Sequence, residues 1–242
     1  MLTVELSPRA LSARFDWIRP IGLYFVRMAI DAIQRKRGRP RTTGGARGDT
    51  REALCRAGVA ALTEKGFSAT GIDEILRAAG VPKGSFYYYF ASKEAFGSEL
   101  IARYAAYFAG KLDRHFRNDL LSPMNRLRAF IADAESGMAR FKFRRGCLVG
   151  NLGQEMGALP DSYREQLAEV FSDWQARTAQ CLEAAKRAGE IAKDADPAEL
   201  AAFFWIGWEG AVLRAKLERN AGPLRLFAQS FLAGLERRRR RP

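Results

Sequence analysis

From about residue 49 onward, apolar residues recur at helical spacing. Leu54, Ala57, Gly58, Ala61 and Leu62 form one stripe, which predicts a helix over about 49–65 that stops at Gly66. Thr70, with Asp73 three residues on, predicts a capped start for a short second helix ending at Gly80. Val81-Pro82 supplies the turn into a third helix over 83–90, with Phe86 and Phe90 on its inner face. Ser92 caps a long fourth helix, with Glu94 near its positive end, running through Tyr104 and Phe108 towards Phe116.

Later apolar faces predict a bundle of longer helices. One spans about 124–143. Another starts near Ser162 and carries Leu167, Val170, Phe171, Trp174 and Leu182. Asp196-Pro197 opens the next, with Leu200, Phe203, Phe204, Trp208, Ala211 and Val212, and Pro223 opens the last, with Leu226, Phe227, Phe231 and Leu235. Core packing accounts for most of these residues. No segment alternates with period two, so the expected fold is all-α, an N-terminal three-helix helix-turn-helix unit followed by a C-terminal helical bundle.

Charge adds two tails to this picture. The net charge is +13, and residues 1–48 hold ten Lys/Arg against three Asp/Glu, while Arg237 to Arg241 add five more. The body between them is nearly neutral. Such tails attract polyanions, or simply solubilise the chain. The expected organisation is a basic, largely disordered extension over 1–48, a DNA-binding unit over 49–96, a ligand-binding and dimerisation bundle over 97–236 and a basic tail over 237–242.

Cys55, Cys147 and Cys181 are odd in number and form no C-x-x-C pair, which argues against a disulfide framework and a structural zinc site. His115 is the single histidine. Neither a metal nor a cofactor is expected, and the compartment that fits is reducing and cytoplasmic. Phe15 to Ile33 is broken by Asp16, Arg19, Pro20 and Arg27 and makes a poor membrane span, so no membrane partner is expected. Met28 is an alternative start for the natural chain.

Residues 83–90 are unusual for a core helix. Lys83, Ser85, Tyr87, Tyr88 and Tyr89 can face outward with hydroxyls and charge for phosphates or base edges, and Gly84 allows close approach. Packing of the tyrosines, Tyr88 above all, against the fourth helix is the competing reading. Residues 49–96, above all TGIDEILRAAGVPKGSFYYYFASKEAF, resemble the DNA-binding domain of TetR-family regulators in cap, turn, recognition helix and S-K-E start. Tyr89 stands where that family commonly has His. The resemblance implies a dimeric repressor on two-fold operator DNA, with a small-molecule effector bound among the C-terminal helices. It implies phosphate or groove contacts for Thr70, Lys83, Gly84, Ser85, Tyr87, Tyr88, Tyr89 and Lys93. Arg47 and Arg51 are further phosphate candidates. Arg37-Gly38-Arg39-Pro40-Arg41 resembles an AT-hook core, whose Arg37 and Arg39 would enter a minor groove, or else is a charged tail.

Residues 143–156, FRRGCLVGNLGQEM, carry glycines at 146, 150 and 153, too many for a comfortable helix interior. Arg144 and Arg145 precede Cys147 and would favour a reactive thiolate; the alternative is a small buried hydrophobe. This segment and WIGWEGAVLRAK, residues 205–216, resemble TetR-family sensors of electrophiles and of acrylate. That resemblance implies joint sensing by Cys147 and Lys216. Asn151, Gln154 and Glu155 either line a pocket or face solvent. Trp205, Trp208 and Glu209 are candidate pocket walls, with core packing the alternative for Trp205. The homodimer is expected through the last two helices, with Ala201, Ala202, Ala211, Phe227, Phe231 and Leu235 as candidates. Competing functions are a broad multidrug-type sensor, a nonspecific architectural DNA binder and a helical enzyme. The enzyme is disfavoured by the lone histidine and the lack of a nucleotide-binding glycine loop.

Overall fold

The computed structural model describes residues 44–239, with side chains described for 48–235. The described residues form helices α1 (Gly44–Lys65), α2 (Ile72–Ala79), α3 (Phe86–Tyr89, preceded by a 3-10 turn over Lys83–Ser85), α4 (Lys93–Phe116) and α5 (Pro123–Arg140). They continue with α6 (Leu148–Gly153), α7 (Asp161–Arg187), α8 (Pro197–Glu218) and α9 (Gly222–Arg239), with no strand among them. The all-α expectation holds. Helix α1 begins at Gly44, five residues before the expected start. The Arg37–Arg41 run, Phe15 to Ile33 and the tail beyond 239 lie outside the described residues, as does the side chain of Arg47.

The three-helix unit closes on an aromatic core. Phe86, Phe90 and Phe96 meet with ring centroids 4.6 to 5.5 Å apart. Helix α1 approaches them closely because Gly58 has no side chain: a Cβ there would stand 2.5 Å from Phe96 Cζ and 2.6 Å from Leu100 Cδ1. The turn after α2 needs Gly80, whose φ is 68°, and Val81 N–H then donates to Leu76 O at 2.9 Å. The Ser92 hydroxyl accepts from Ala95 N–H at 3.0 Å and starts α4 as expected.

The cap of α2 differs from expectation. Gly71 is the N-cap, and Thr70 is buried with its hydroxyl donating to Gly66 O at 2.6 Å. The chain turns one residue later than the Thr-x-x-Asp pattern suggests, which sends the hydroxyl into the loop.

In the C-terminal bundle α7 packs against α4, α5 and α8, and α9 lies on α8. Asp196 caps α8, accepting from Ala198 and Glu199 N–H at 2.8 and 3.2 Å. The expected interface residues Ala201, Ala211, Phe231 and Leu235 are buried within the chain, while Phe203, Ile206, Leu213 and Leu217 of α8 and Leu226 of α9 are exposed. The apolar face of α8 is wide enough to serve both sides, so periodicity alone misassigned the two. Among the described residues no helix is long and apolar enough to cross a membrane.

Candidate DNA-reading surface and effector recess

Helix α3 lifts its tyrosines off the aromatic core. Phe86 is fully buried beneath them, whereas Tyr87 is 67% and Tyr88 62% exposed. Tyr89 is half-buried and meets Tyr88 edge-on at 5.0 Å. Lys83 is exposed and pairs with Asp73 at 3.1 Å, an exposed pair worth little and easily exchanged for a phosphate. Around Gly84 nothing lies within 4 Å of an added Cβ, so packing within the chain does not demand the glycine. Ser85 is half-buried in the 3-10 turn. Lys83, Gly84, Tyr87 and Tyr88 thus share one accessible surface.

Three of the expected phosphate contacts are committed within the chain. Thr70 is buried. Arg51 pairs with Glu99 at 3.0 Å and lies over the Phe90 ring at 5.2 Å. Lys93 donates to Phe67 O at 2.9 Å and sits over that ring at 4.4 Å, and burial lowers its pKa.

The glycine-rich segment forms α6, and both of its ends have partners. Lys142 and Phe143 take positive φ of 52° and 53°, uncommon for residues with a side chain, and turn the chain back towards α1. Arg144 then pairs with Glu64 at 3.2 Å, and Arg145 lies over the Phe141 ring at 4.3 Å. Gly146 N–H donates to Thr63 O at 2.9 Å. Asn151 Nδ2 donates to Leu62 O at 2.8 Å and Thr63 O at 2.9 Å, satisfying carbonyls at the end of α1. Glu155 accepts from Phe67 N–H at 2.8 Å and Ser68 N–H at 2.7 Å. Lys216 of α8 reaches Asn151 Oδ1 at 3.4 Å, with burial lowering its pKa. Asn151 and Glu155, both half-buried, grip the α1–α2 corner. Gln154 is exposed, with Nε2 on Gly150 O at 3.4 Å.

Cys147 lies at the other end of the same segment. It caps α6, its Sγ accepting from Gly150 N–H at 3.4 Å, and is buried. Burial and the Glu209 carboxyl push its thiol well above the usual range, against the direction expected from Arg144 and Arg145. The two arginines are turned towards Glu64 and Phe141 instead. Burial raises Glu209 to about 7, with the Cys147 thiol hydrogen bond opposing. Tyr104 of α4 is pushed up by burial and by Cys147 and Glu209. Gly150 makes room for this arrangement: a Cβ there would fall 2.1 Å from Glu209 Oε2. Tyr104 and Glu209 are half-buried and stand beside Cys147.

Aromatic rings continue from Tyr104. Phe108 stands 4.3 Å from Trp174, which stands 4.9 Å from Trp205. Trp205 is buried, its Nε1–H donating to Thr178 Oγ1 at 2.9 Å, and so serves as core. Trp208 is also buried and stacks on Phe204 at 5.6 Å, facing α9. Sequence reasoning missed Tyr104 and Phe108 as site residues; their signal is a tyrosine within the apolar spacing Leu100, Ile101, Tyr104, Phe108.

A separate cleft of about 340 Å³ between α4 and α7 is lined by Asp113, Arg126, Arg177 and Cys181. Its charges are paired: Arg126 with Asp119, Phe116 O and Leu121 O, and Arg177 with Asp113 and Asp173. Among the described residues no group of His, Cys, Asp and Glu is arranged to hold a metal ion.

Known proteins share this architecture. The family model for bacterial regulatory proteins of the tetR family matches residues 54–100, and that for the tetracyclin repressor-like C-terminal domain matches 123–231. The transcriptional regulator AcuR of Cereibacter sphaeroides is 56% identical over 196 residues, covering 81% of this chain and 89% of its own. The HTH-type repressor NemR of Escherichia coli is 31% identical over 176 residues, 73% of this chain and 88% of its own. A crystal structure of regulatory protein TetR from Rhodobacter sphaeroides matches with a TM-score of 0.75 at 56% identity, over 76% of this chain and 97% of that one. The reduced form of E. coli NemR matches with a TM-score of 0.68 at 29% identity, over 78% and 97%. With both family models matched and a relative 56% identical over most of its length, this chain belongs to the TetR family of transcriptional regulators.

Proposed function

We propose that this protein represses transcription as a homodimer on a two-fold operator, and that a small unsaturated acid such as acrylate, bound beside Cys147 and Glu209, releases it. One observation carries the reading. Cys147 caps α6 beside Glu209, while Asn151 of α6 and Glu155 just beyond it hold the α1–α2 corner of the DNA-reading unit. A ligand that moves α6 must move that corner, and it shifts operator binding by its differential affinity for the two arrangements.

The exposed stripe of Phe203, Ile206, Leu213 and Leu217 supports dimerisation through α8 and α9. Lys83, Gly84, Tyr87 and Tyr88 meet the groove in each half-site. Cys147 contributes as a neutral, buried contact, so the effector is held reversibly rather than alkylated.

The test is a mobility shift of the full chain on DNA from upstream of its own gene, at moderate salt with excess competitor. Acrylate and N-ethylmaleimide are compared on wild type, Cys147→Ser and Asn151→Ala. The expected result is a specific shift that acrylate releases and dialysis restores. Asn151→Ala is expected to need roughly tenfold more acrylate, since two hydrogen bonds to α1 are lost. Binding abolished by competitor would replace this reading with an architectural role, and a specific shift indifferent to acrylate would remove the effector.

A further inference from the structure

Trp174 and Trp205 are neighbours with the same chemistry and different fates. Both are fully buried, with ring centroids 4.9 Å apart. Thr178 settles one of them: its hydroxyl donates to Trp174 O at 2.8 Å and accepts the Trp205 N–H at 2.9 Å. The indole N–H of Trp174 has no hydrogen-bond partner among the described residues. The other polar side chains of this core are served: Tyr163 donates to Glu94 O at 2.7 Å and Cys181 to Pro123 O at 3.4 Å.

A buried donor left unpaired costs about 1–3 kcal/mol, and native cores rarely keep one without a reason. The rings packed against the Trp174 indole accept hydrogen bonds only weakly. Phe108 lies 4.3 Å away, Phe171 5.5 Å and Tyr104 6.4 Å, measured between centroids. Unlike Trp174, these three residues are only half-buried, so part of this aromatic cluster reaches towards solvent. Tyr104 also joins this cage to Cys147 and Glu209.

We infer that the Trp174 N–H is the donor that receives an oxygen of the effector, a small carboxylate or carbonyl compound lodged among Phe108, Tyr104 and Phe171. The inference rests on the effector reading above. A donor with no acceptor capacity selects an oxygen lone pair. The aromatic walls select a flat, short body. Acids and carbonyl compounds of that shape fit; an ammonium group, which has no lone pair to offer, does not use the site.

The experiment uses the full chain labelled with 15N-tryptophan. Its four tryptophans give four indole N–H signals, assigned by single Trp→Phe variants. Acrylate and its saturated counterpart, propionate, are each titrated in. The Trp174 signal is expected to move downfield with both, while that of Trp205, already bonded to Thr178, stays in place. In parallel, Trp174→Phe is expected to keep operator affinity within about twofold and to raise the acrylate needed for release roughly tenfold or more. If the Trp174 signal moves but acrylate leaves the operator bound, the subsite stands and the release reading falls. If acrylate releases the operator while the signal stays still and Trp174→Phe responds as wild type, the subsite falls and the release reading stands. If neither compound moves the signal, the N–H serves water or packing only, and the inference is overturned.

Discussion

The DNA-reading unit places its polar side chains outside an apolar core, while the effector domain places several inside one. Tyr87 and Tyr88 stand in solvent above Phe86, Phe90 and Phe96. Glu209, Cys147 and Tyr104 share the interior with Phe108 and Trp174. The difference separates two kinds of mutational effect. Outward groups can be lost at the expense of binding while the fold is untouched. Inward groups tie ligand recognition to stability and to pH, because their charge states are set by burial.

Glu209 offers the largest way to sharpen this contrast. Its carboxyl is ordinarily near 4.5 and is raised to about 7 in the folded chain. Below about 4.5 it is protonated whether folded or not. As pH rises towards 7, the unfolded chain ionises first, so stability falls; above 7 the loss is complete. The displacement corresponds to about 3 kcal/mol. Urea unfolding of Glu209→Gln across pH 4.5 to 8 is expected to lack this decline, and an unchanged pH profile would place the carboxyl in water. Gly58→Ala probes the packing beneath the reading surface. A Cβ 2.5 Å from Phe96 Cζ forces the aromatic core apart, with an expected loss of about 1–3 kcal/mol by thermal or chemical denaturation.

Tyr87→Ala should behave in the opposite way. Operator affinity is expected to fall roughly tenfold by fluorescence anisotropy, with a melting temperature within about 1 °C of wild type, since surface changes seldom exceed about 0.5 kcal/mol. A large drop in melting temperature would assign Tyr87 to packing. The smallest effect expected is from Asp73→Asn. It frees Lys83 from an exposed pair and should tighten operator binding by a few tenths of a kcal/mol, more at low salt.

The two regions also differed in how legible they were. The helix-turn-helix unit could be read because its signals are local: Gly80 must take a positive φ, Ser92 caps its own helix, and Phe86 and Phe90 share a face. Even there Thr70 turned inward, since the cap pattern fits more than one register. The recess was legible only in part. Cys147 and Glu209 did come together, but Arg144 and Arg145, adjacent to the thiol in sequence, are carried away by the turn at Lys142 and Phe143. Asn151 serves a helix almost ninety residues earlier, which periodicity cannot foresee. Trp174 and Trp205 look alike on their stripes, and only packing decides which of them Thr178 satisfies.

The hydrogen bonds by which Asn151 and Glu155 hold the reading unit end on main-chain groups: the carbonyls of Leu62 and Thr63 and the amides of Phe67 and Ser68. Such bonds tolerate most side chains on either flank, so long as proline does not remove an amide and position 66 stays glycine, where a Cβ would stand 1.8 Å from Glu155 Oε1. Operator preference can therefore drift through the residues of α3 without disturbing what α6 holds. A chimera joining this effector domain to the reading head of a relative would keep its response, provided that the head presents the same backbone corner. In evolutionary terms, the signal and the address it is sent to are free to diversify separately.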